Sequence, residues 1–234
     1  MILVDGSEPE VWHAHQAHLG DRVRHLRTEV EVPNGKVANV CTGLRHARHE
    51  IVVIADDDVR WDRPTLVQAL GRLGQDAVLR PQNYFEPRPW HAWWDTGRTL
   101  IQRAFGGDWP GTLVVRASYL PAGYAGDCVF ENLELVRTVR AHGGREVVAF
   151  DVMVRRLPPS TRKFLEQRVR QAYDELARPW FLLAELALLP AAWVGGWRVR
   201  LSLVLGAVGL AELGRRRPGG RDRWPGHASL AAVP

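Results

Sequence analysis

Residues 51–58 have the sequence Ile-Val-Val-Ile-Ala-Asp-Asp-Asp, an unbroken apolar run that ends in three consecutive carboxylates. Continuous apolar runs of this length are typical of a strand that is buried on both faces of a sheet. Carboxylates this close repel one another, and a divalent cation among them would relieve the repulsion. The stretch therefore predicts a central strand with a cation site at its carboxyl end, where open α/β sheets bind ligands. A turn of solvated acids after the strand is the alternative.

Helix-like and strand-like patterns alternate on both sides of this run. Apolar residues at three- and four-residue steps predict a helix over residues 36–47. Helices are also predicted over residues 8–19, over 63–73 with Pro64 near the start, over 131–142 before two glycines, and over the polar stretch 160–177. Short apolar or alternating runs predict strands; they cover residues 1–5, 22–32, 76–80 and 111–116, with two short strands over 145–155. This alternation predicts an α/β fold whose mainly parallel sheet is flanked by helices.

The net charge of +5, from 31 Lys and Arg residues against 26 Asp and Glu residues, belongs to one end of the chain. Residues 198–223 hold seven arginines, one Glu and one Asp, while the rest of the chain is balanced at 24 against 24. The main domain therefore has no basic excess that would attract nucleic acid, and we predict no nucleic-acid partner. A basic segment beside an apolar stretch favours a membrane surface with anionic lipid instead.

The last quarter of the chain is apolar in two stretches, residues 180–197 and 201–211. Pro190 and two glycines interrupt the first, and neither stretch reaches the ~20 unbroken apolar residues of a spanning helix. Tryptophan and arginine beside such stretches are typical of membrane interfaces. We predict a domain over residues 1–178, a membrane-associating helical segment over 179–214, and a basic, flexible tail over 215–234. A helical cap that packs on the domain is the alternative to the membrane segment.

The start of the chain has neither the basic region nor the long apolar run of a secretory leader. The two cysteines, Cys41 and Cys128, are therefore expected to stay reduced in a cytoplasmic setting. Together with the apolar segment, this predicts a location at the cytoplasmic face of the cell membrane.

Several short motifs follow one another between about residues 2 and 172. They are Val4-Asp5-Gly6-Ser7, Asn34-Gly35-Lys36, the three acids at 56–58, Gly111-Thr112, Glu131-Asn132-Leu133-Glu134-Leu135 and Gln167-Arg168-Val169-Arg170-Gln171. In their order and spacing they resemble the motifs of family-2 glycosyltransferases, which share the GT-A fold.

The resemblance implies transfer of a sugar, with inversion, from a nucleotide diphosphate donor to a lipid-linked or polysaccharide acceptor. It implies Mg²⁺ or Mn²⁺ as cofactor, with Asp58 as the metal ligand and Asp56 beside it. The ion would neutralise the leaving diphosphate. The residues that it assigns to the nucleotide sugar are Asp5 at the base, Lys36, Asp56, Asp57 and, near the diphosphate, Arg170.

Two departures from the family pattern bear on catalysis. The family has a strand and a helix before the Asp-Gly-Ser turn, so the chain is expected to lack that part of the nucleoside pocket. The catalytic Asp of the family matches Asn132, which cannot accept a proton usefully. Glu131 and, after it, Asp127 are the candidate catalytic bases. The alternative function is a catalytically weak or inactive GT-A-like binding or scaffold protein at a membrane complex.

Overall fold

The computed structural model describes residues 1–233, without the side chains of Arg170, Ala172, Asp174 and Phe181. In chain order, its elements are β1 (Ile2–Asp5), α1 (Pro9–His18), β2 (Arg24–Arg27), α2 (Gly35–Arg45), β3 (Ile51–Ala55), β4 (Val59–Arg60), α3 (Arg63–Leu73), β5 (Val78–Phe85), α4 (Trp90–Ala104), β6 (Thr112–Arg116), α5 (Glu131–Ala141), β7 (Glu146–Arg156), α6 (Thr161–Asp174), α7 (Pro179–Val194), α8 (Gly196–Arg216) and α9 (Gly220–Arg223). Short 3-10 helices lie at Ala117–Tyr119, Glu175–Ala177 and Gly226–Ala232.

The chain divides into two compact units, each built from separated stretches of sequence. The first unit contains residues 1–54, 75–78 and 114–146, and the second contains residues 55–74, 79–113 and 147 onward.

A five-stranded sheet has the order β3-β6-β5-β7-β4, and a separate pair is formed by β1 and β2. β3 therefore lies at an edge of the sheet and is only partly buried, so the prediction of a central strand buried on both faces is wrong. β4 runs antiparallel to β7, so the sheet is mixed, and the prediction of a mainly parallel sheet is wrong. Two features caused the error. β7 is one continuous strand where the sequence predicts two short ones, and the two residues of β4 are too few to show any alternation.

In the first unit, β1 and β2 pair in parallel, with Asp5 opposite Arg27. α2 begins where the side chain of Asn34 accepts hydrogen bonds from the backbone N–H groups of Lys36 and Val37. Such a cap satisfies N–H groups that the first turn of a helix leaves unpaired. The helix then buries the apolar face, including Cys41, that its spacing predicts.

In the second unit, α8 packs closely on α4 because Gly214 lies at the contact. A Cβ at Gly214 would lie 1.8 Å from the carbonyl oxygen of Leu100 in α4. Leu100 belongs to a buried apolar cluster with Trp224 and Ala228. The sequence predicts a flexible tail over 215–234, yet this stretch contains α9 and a 3-10 helix, and Trp224 is 1% exposed.

α7 and the start of α8 carry apolar side chains that remain exposed. Trp180, Trp193 and Trp197 are 81%, 84% and 69% exposed. Within the described part of the chain, no helix is both long and apolar enough to cross a membrane. Membrane association of residues 179–214 stays a prediction.

Candidate functional site

The acids predicted to bind the donor begin where β3 ends, at Asp56. The backbone N–H of Asp56 donates to the carbonyl oxygen of Gly111 at 2.8 Å. A Cβ at Gly111 would lie 2.4 Å from Oδ2 of Asp56, a distance at which one of the two atoms must move. The glycine just before β6 therefore leaves the space that the carboxylate of Asp56 occupies. Asp57, the next residue, is exposed.

Asp58, the predicted metal ligand, forms an ion pair with Arg156 at the end of β7. Nε of Arg156 donates to both carboxylate oxygens at 3.1 Å, and Nη2 donates to Oδ2 at 2.5 Å. The β4–β7 register produces this pair, since Val59 lies opposite Arg156 and the N–H of Leu157 donates to the carbonyl oxygen of Asp58 at 2.9 Å. Both side chains are about one-fifth exposed, at 22% for Asp58 and 21% for Arg156.

Two further carboxylates act on the same guanidinium. Burial alone would lower the pKa of Arg156, but the hydrogen bond to Asp58 and the charges of Asp58, Asp56 and Asp108 raise it above its usual value. Three carboxylates thus share one cationic group. Neither Arg156 nor Asp108 was among the residues that the sequence predicts for the site.

Asp108 is held in the loop that follows α4. Its Oδ2 accepts from Oγ1 of Thr99 at 3.0 Å, and its Oδ1 accepts from the N–H of Trp109 at 2.9 Å. Arg80 of β5 donates to the carbonyl oxygens of residues 106–108 and lies 4.1 Å from the centre of the Trp109 ring. The loop therefore has a defined conformation that presents a buried carboxylate.

Asp95 of α4 pairs with two arginines. It accepts from Nε of Arg98 and from Nη1 of Arg168, each at 3.0 Å. Burial alone would raise the pKa of Asp95, but the charges of Arg98 and Arg168 hold it below its usual value. Arg168 belongs to the motif at 167–171, and the side chain of Arg170, the predicted diphosphate ligand, lies outside the described residues.

In the first unit, Asp5 is surrounded by hydrogen-bonding groups. Its Oδ2 lies 2.7 Å from Nδ1 of His15 and 3.1 Å from Nε2 of His25, and its Oδ1 accepts from the N–H of Ser7 at 2.9 Å. Burial alone would raise the pKa of Asp5, but hydrogen bonds from Ser7, His15 and His25 hold it well below its usual range. Asp5 thus connects β1, α1 and β2, and its contact with a nucleotide base stays a prediction.

The candidate catalytic bases also lie in the first unit. Oε1 of Glu131 is 2.9 Å from Nζ of Lys36, which joins a predicted base to a predicted donor-binding residue. Asn132 is buried in α5, and Asp127 is exposed on the loop before that helix.

The residues at the end of β3 are compatible with a cation that is bound together with a substrate. Among the side chains that the structure describes, no three His, Cys, Asp or Glu residues are arranged to hold a metal ion. Mg²⁺ does not require such a cage, since it is commonly bound by one or two carboxylates, water and substrate phosphates. Asp56 and Asp58 are hard oxygen donors beside a position that already holds a positive charge.

Comparisons with known proteins agree with the fold. The solved mannosyltransferase PcManGT from Pyrobaculum calidifontis, in complex with GDP-Man and Mn²⁺, is 22% identical over 99% of this chain and 75% of that chain, with a TM-score of 0.53. At this identity the likeness concerns the fold, which is GT-A-like. The crystal structure of a mycobacterial protein is 15% identical over 70% of this chain and 59% of that chain, with a TM-score of 0.43. No curated protein matches the chain significantly.

A family comparison covers the part of the chain that carries most of the motifs. The sequence model described as "Glycosyl transferase family 2" matches residues 1–118, which is 118 of 234 residues. The match includes the Asp-Gly-Ser turn, the Asn-Gly-Lys start of α2, β3 and the three acids at 56–58. The resemblance seen in the sequence is confirmed, and the chain belongs to glycosyl transferase family 2.

Proposed function

We propose that this glycosyltransferase moves a sugar, with inversion, from a nucleotide diphosphate donor to a lipid-linked or polysaccharide acceptor, with the help of Mg²⁺ or Mn²⁺. The observation that carries the proposal is the position of Asp56 and Asp58 directly after β3, with Asp56 beside Gly111 and Asp58 paired with Arg156. Ligands of open α/β sheets bind at this end of the strands. GDP-mannose is the first donor to test, because a similar fold was solved with GDP-Man and Mn²⁺.

The acids would act on the diphosphate end of the donor. Asp58 and Asp56 would hold the divalent cation, and Gly111 would leave Asp56 its position. When it is bound, such an ion neutralises the charge that develops on a leaving diphosphate. The residues that would contact the rest of the nucleotide sugar are Asp5 at the base, Lys36, Asp57 and Arg170.

A carboxylate of the first unit would remove the proton from the acceptor hydroxyl. Glu131 is the first candidate because it lies next to Asn132 in the first turn of α5 and contacts Lys36, a residue predicted to bind the donor. Asp127 is the second candidate. Asn132, which stands where the family has its catalytic Asp, would serve only to position neighbouring groups, because a neutral amide is not a useful base.

The acceptor would be presented at a membrane surface. α7 is apolar on all sides and largely exposed, and helices of that composition are usually buried in protein or lipid. Arg198 and Arg200 lie exposed near the start of α8, where they would meet anionic headgroups. We therefore propose that residues 179–214 attach the enzyme to the cytoplasmic face of the cell membrane, where a lipid-linked acceptor is within reach.

A catalytically weak or inactive scaffold protein is the second candidate. The observation that favours it is Asn132, buried at the position of the family base. Both candidates allow donor binding, but only the first predicts release of the nucleoside diphosphate from a nucleotide sugar. Turnover of any sugar nucleotide that Asp58→Ala abolishes would rule out the scaffold function.

The proposal is tested first by thermal unfolding with UDP, GDP, TDP and CDP, each with and without Mn²⁺. A ligand at about 100 times its dissociation constant stabilises the folded state by roughly 2.7 kcal/mol. We expect one nucleotide to raise the melting temperature with Mn²⁺ present, and Asp58→Ala to abolish that rise. Asp21→Asn, at an exposed acid of the first unit, should keep it. Absence of a shift with all four nucleotides would contradict donor binding.

A further inference from the structure

Both carboxylate oxygens of Asp58, the predicted metal ligand, already accept hydrogen bonds from Arg156. Nε and Nη2 of Arg156 approach Asp58 at 2.5 to 3.1 Å, so the guanidinium lies where a cation in contact with Asp58 would be needed. Arg156 is held by the backbone pairing of β4 with β7, and its guanidinium lies 5.6 Å from the centre of the Phe85 ring. The position of the arginine therefore follows from the strand register and not from a chance surface contact.

The arginine and a divalent cation would compete for Asp58. A guanidinium that bridges both oxygens of a carboxylate leaves little room for an ion in direct contact with them. The two positive groups would also repel each other in a site that is only about one-fifth exposed. Binding of the ion at Asp58 therefore requires Arg156 to leave, and a released guanidinium is suited to paired hydrogen bonds with a phosphate.

We propose that Arg156 is an exchangeable counter-ion: it takes the place of the cation at Asp58 in the donor-free enzyme and moves to the donor diphosphate when cation and nucleotide bind. The inference rests on the proposed function and adds to it a positioning residue that couples the two ligands. When the cation binds alone, Arg156 loses its ion pair with Asp58 and gains no other partner. When the nucleotide binds as well, its diphosphate becomes the new partner of Arg156. Cation and nucleotide should therefore strengthen each other's binding, a coupling that is necessarily reciprocal.

A purely structural ion pair makes different predictions. If Arg156 only fastened β4 to β7, its removal would lower stability and free Asp58 for Mn²⁺, but GDP affinity at saturating Mn²⁺ would stay unchanged. If it is an exchangeable counter-ion, its removal should tighten Mn²⁺ binding without nucleotide and also weaken GDP binding, because the diphosphate loses a partner. The change in GDP affinity at saturating Mn²⁺ therefore separates the two roles.

The experiment measures Mn²⁺ binding to the full chain by electron paramagnetic resonance of the free ion, first alone and then with GDP. If the thermal-unfolding panel selects another nucleoside diphosphate, that one replaces GDP. Arg156→Gln should bind Mn²⁺ about tenfold more tightly than the wild type without nucleotide, and should bind GDP about tenfold more weakly at saturating Mn²⁺, because a charge-assisted hydrogen-bond pair is lost.

Arg155→Gln is the matched control, since it removes an exposed arginine from the neighbouring position of β7. Both affinities should stay at the wild-type values in this variant. Arg156→Lys keeps the charge, loses the paired geometry and is used if Arg156→Gln does not fold. It should retain weak Mn²⁺ binding without nucleotide but show less coupling between Mn²⁺ and GDP than the wild type.

Unchanged GDP affinity at saturating Mn²⁺ in folded Arg156→Gln would overturn the inference, as would unchanged or weaker Mn²⁺ binding in that variant or full coupling in Arg156→Lys. None of these results would contradict the proposed function as long as the wild type binds a nucleoside diphosphate with Mn²⁺. Failure of the wild type to bind any of the four nucleotides would instead contradict the proposed function itself.

Discussion

The carboxylate of Asp56 lies where a side chain on Gly111 would have to be: a methyl group on the glycine would lie 2.4 Å from Oδ2 of the aspartate. The N–H of Asp56 also donates to the carbonyl oxygen of Gly111 at 2.8 Å. The two backbone segments therefore cannot separate without losing this hydrogen bond. The residue before β6 thus determines where the first acid after β3 can lie. The consequence is specific enough to test with a single methyl group.

Gly111→Ala should displace Asp56 and reduce Mn²⁺-dependent nucleotide binding about tenfold or more. Overpacking of this kind also costs about 1–3 kcal/mol of stability. Thermal unfolding with and without nucleotide measures both effects. Gly71→Ala is the control: a Cβ there, in the last turn of α3, meets nothing within 4 Å, so the substitution should be neutral or stabilising. Unaltered nucleotide binding in Gly111→Ala would contradict the position assigned to Asp56.

Asp5→Asn should lower stability in a pH-dependent way. The hydrogen bonds from Ser7, His15 and His25 hold the pKa of Asp5 below its unfolded value, against a burial effect of opposite sign. A carboxyl whose folded pKa is lowered contributes stability above its unfolded pKa of about 4 and loses it as the pH falls towards the folded value. Chemical unfolding at several pH values should therefore show wild type and variant differing near pH 6 and converging under acid conditions. Asp21→Asn should show no such convergence, and a difference for Asp5→Asn that grows on acidification would refute the assignment.

Glu131→Gln should lower kcat by about 10²–10⁴, the usual contribution of a general base. Asp127→Asn, on the exposed loop, should change kcat by less than about threefold, and Glu134→Gln, one turn further along α5, serves as the control. Steady-state rates with the donor that the nucleotide panel identifies provide the measurement. A large loss in Asp127→Asn together with a small one in Glu131→Gln would reverse the assignment of the base. If neither variant lowers kcat strongly, another group is the base.

The exposed tryptophans of α7 should control membrane binding. Trp180→Ser combined with Trp193→Ser should reduce sedimentation with vesicles that contain anionic lipid by about tenfold or more, because burial of each ring contributes up to roughly 1.5–3 kcal/mol. Val67→Ser, at an exposed apolar residue of α3, is the control. Neutral vesicles should bind more weakly because Arg198 and Arg200 lose their counter-charges. Equal sedimentation of wild type and double variant would contradict the proposal, as would a dimer in solution that depends on the same tryptophans.

The sequence predicts those parts of the fold that depend on local patterns. α3 lies over residues 63–73 as its periodicity and Pro64 indicate, and β3 lies over 51–55. α4 shows no such pattern in its aromatic-rich stretch, because residues such as Asp95, Thr99 and Arg103 are buried there with polar partners. Burial of polar side chains through long-range pairs does not follow from spacing along the chain.

The candidate site divides in the same way. The three acids are visible in the sequence because they follow an unbroken apolar run, although β3 itself is a partly buried edge strand. Arg156 cannot be recognised in the sequence, where it is one of 29 arginines. Only the register of β7 with the two-residue strand β4 places it beside Asp58. Asp108 was equally hidden, since its burial depends on Arg80 and Gln82 of β5, which hold the loop in place.

The packing of Trp224 against α4 has a practical consequence for shortened forms of the protein. Arg103 of α4 is fully buried, donates to the carbonyl oxygens of Gly214 and Pro218 and lies 5.1 Å from the centre of the Trp224 ring. A chain that ends at residue 214 would leave this guanidinium and the side chain of Leu100 without their covering. Residues 215–233 thus cover buried side chains of the second unit. Their removal should yield a protein that aggregates and not a shorter active enzyme.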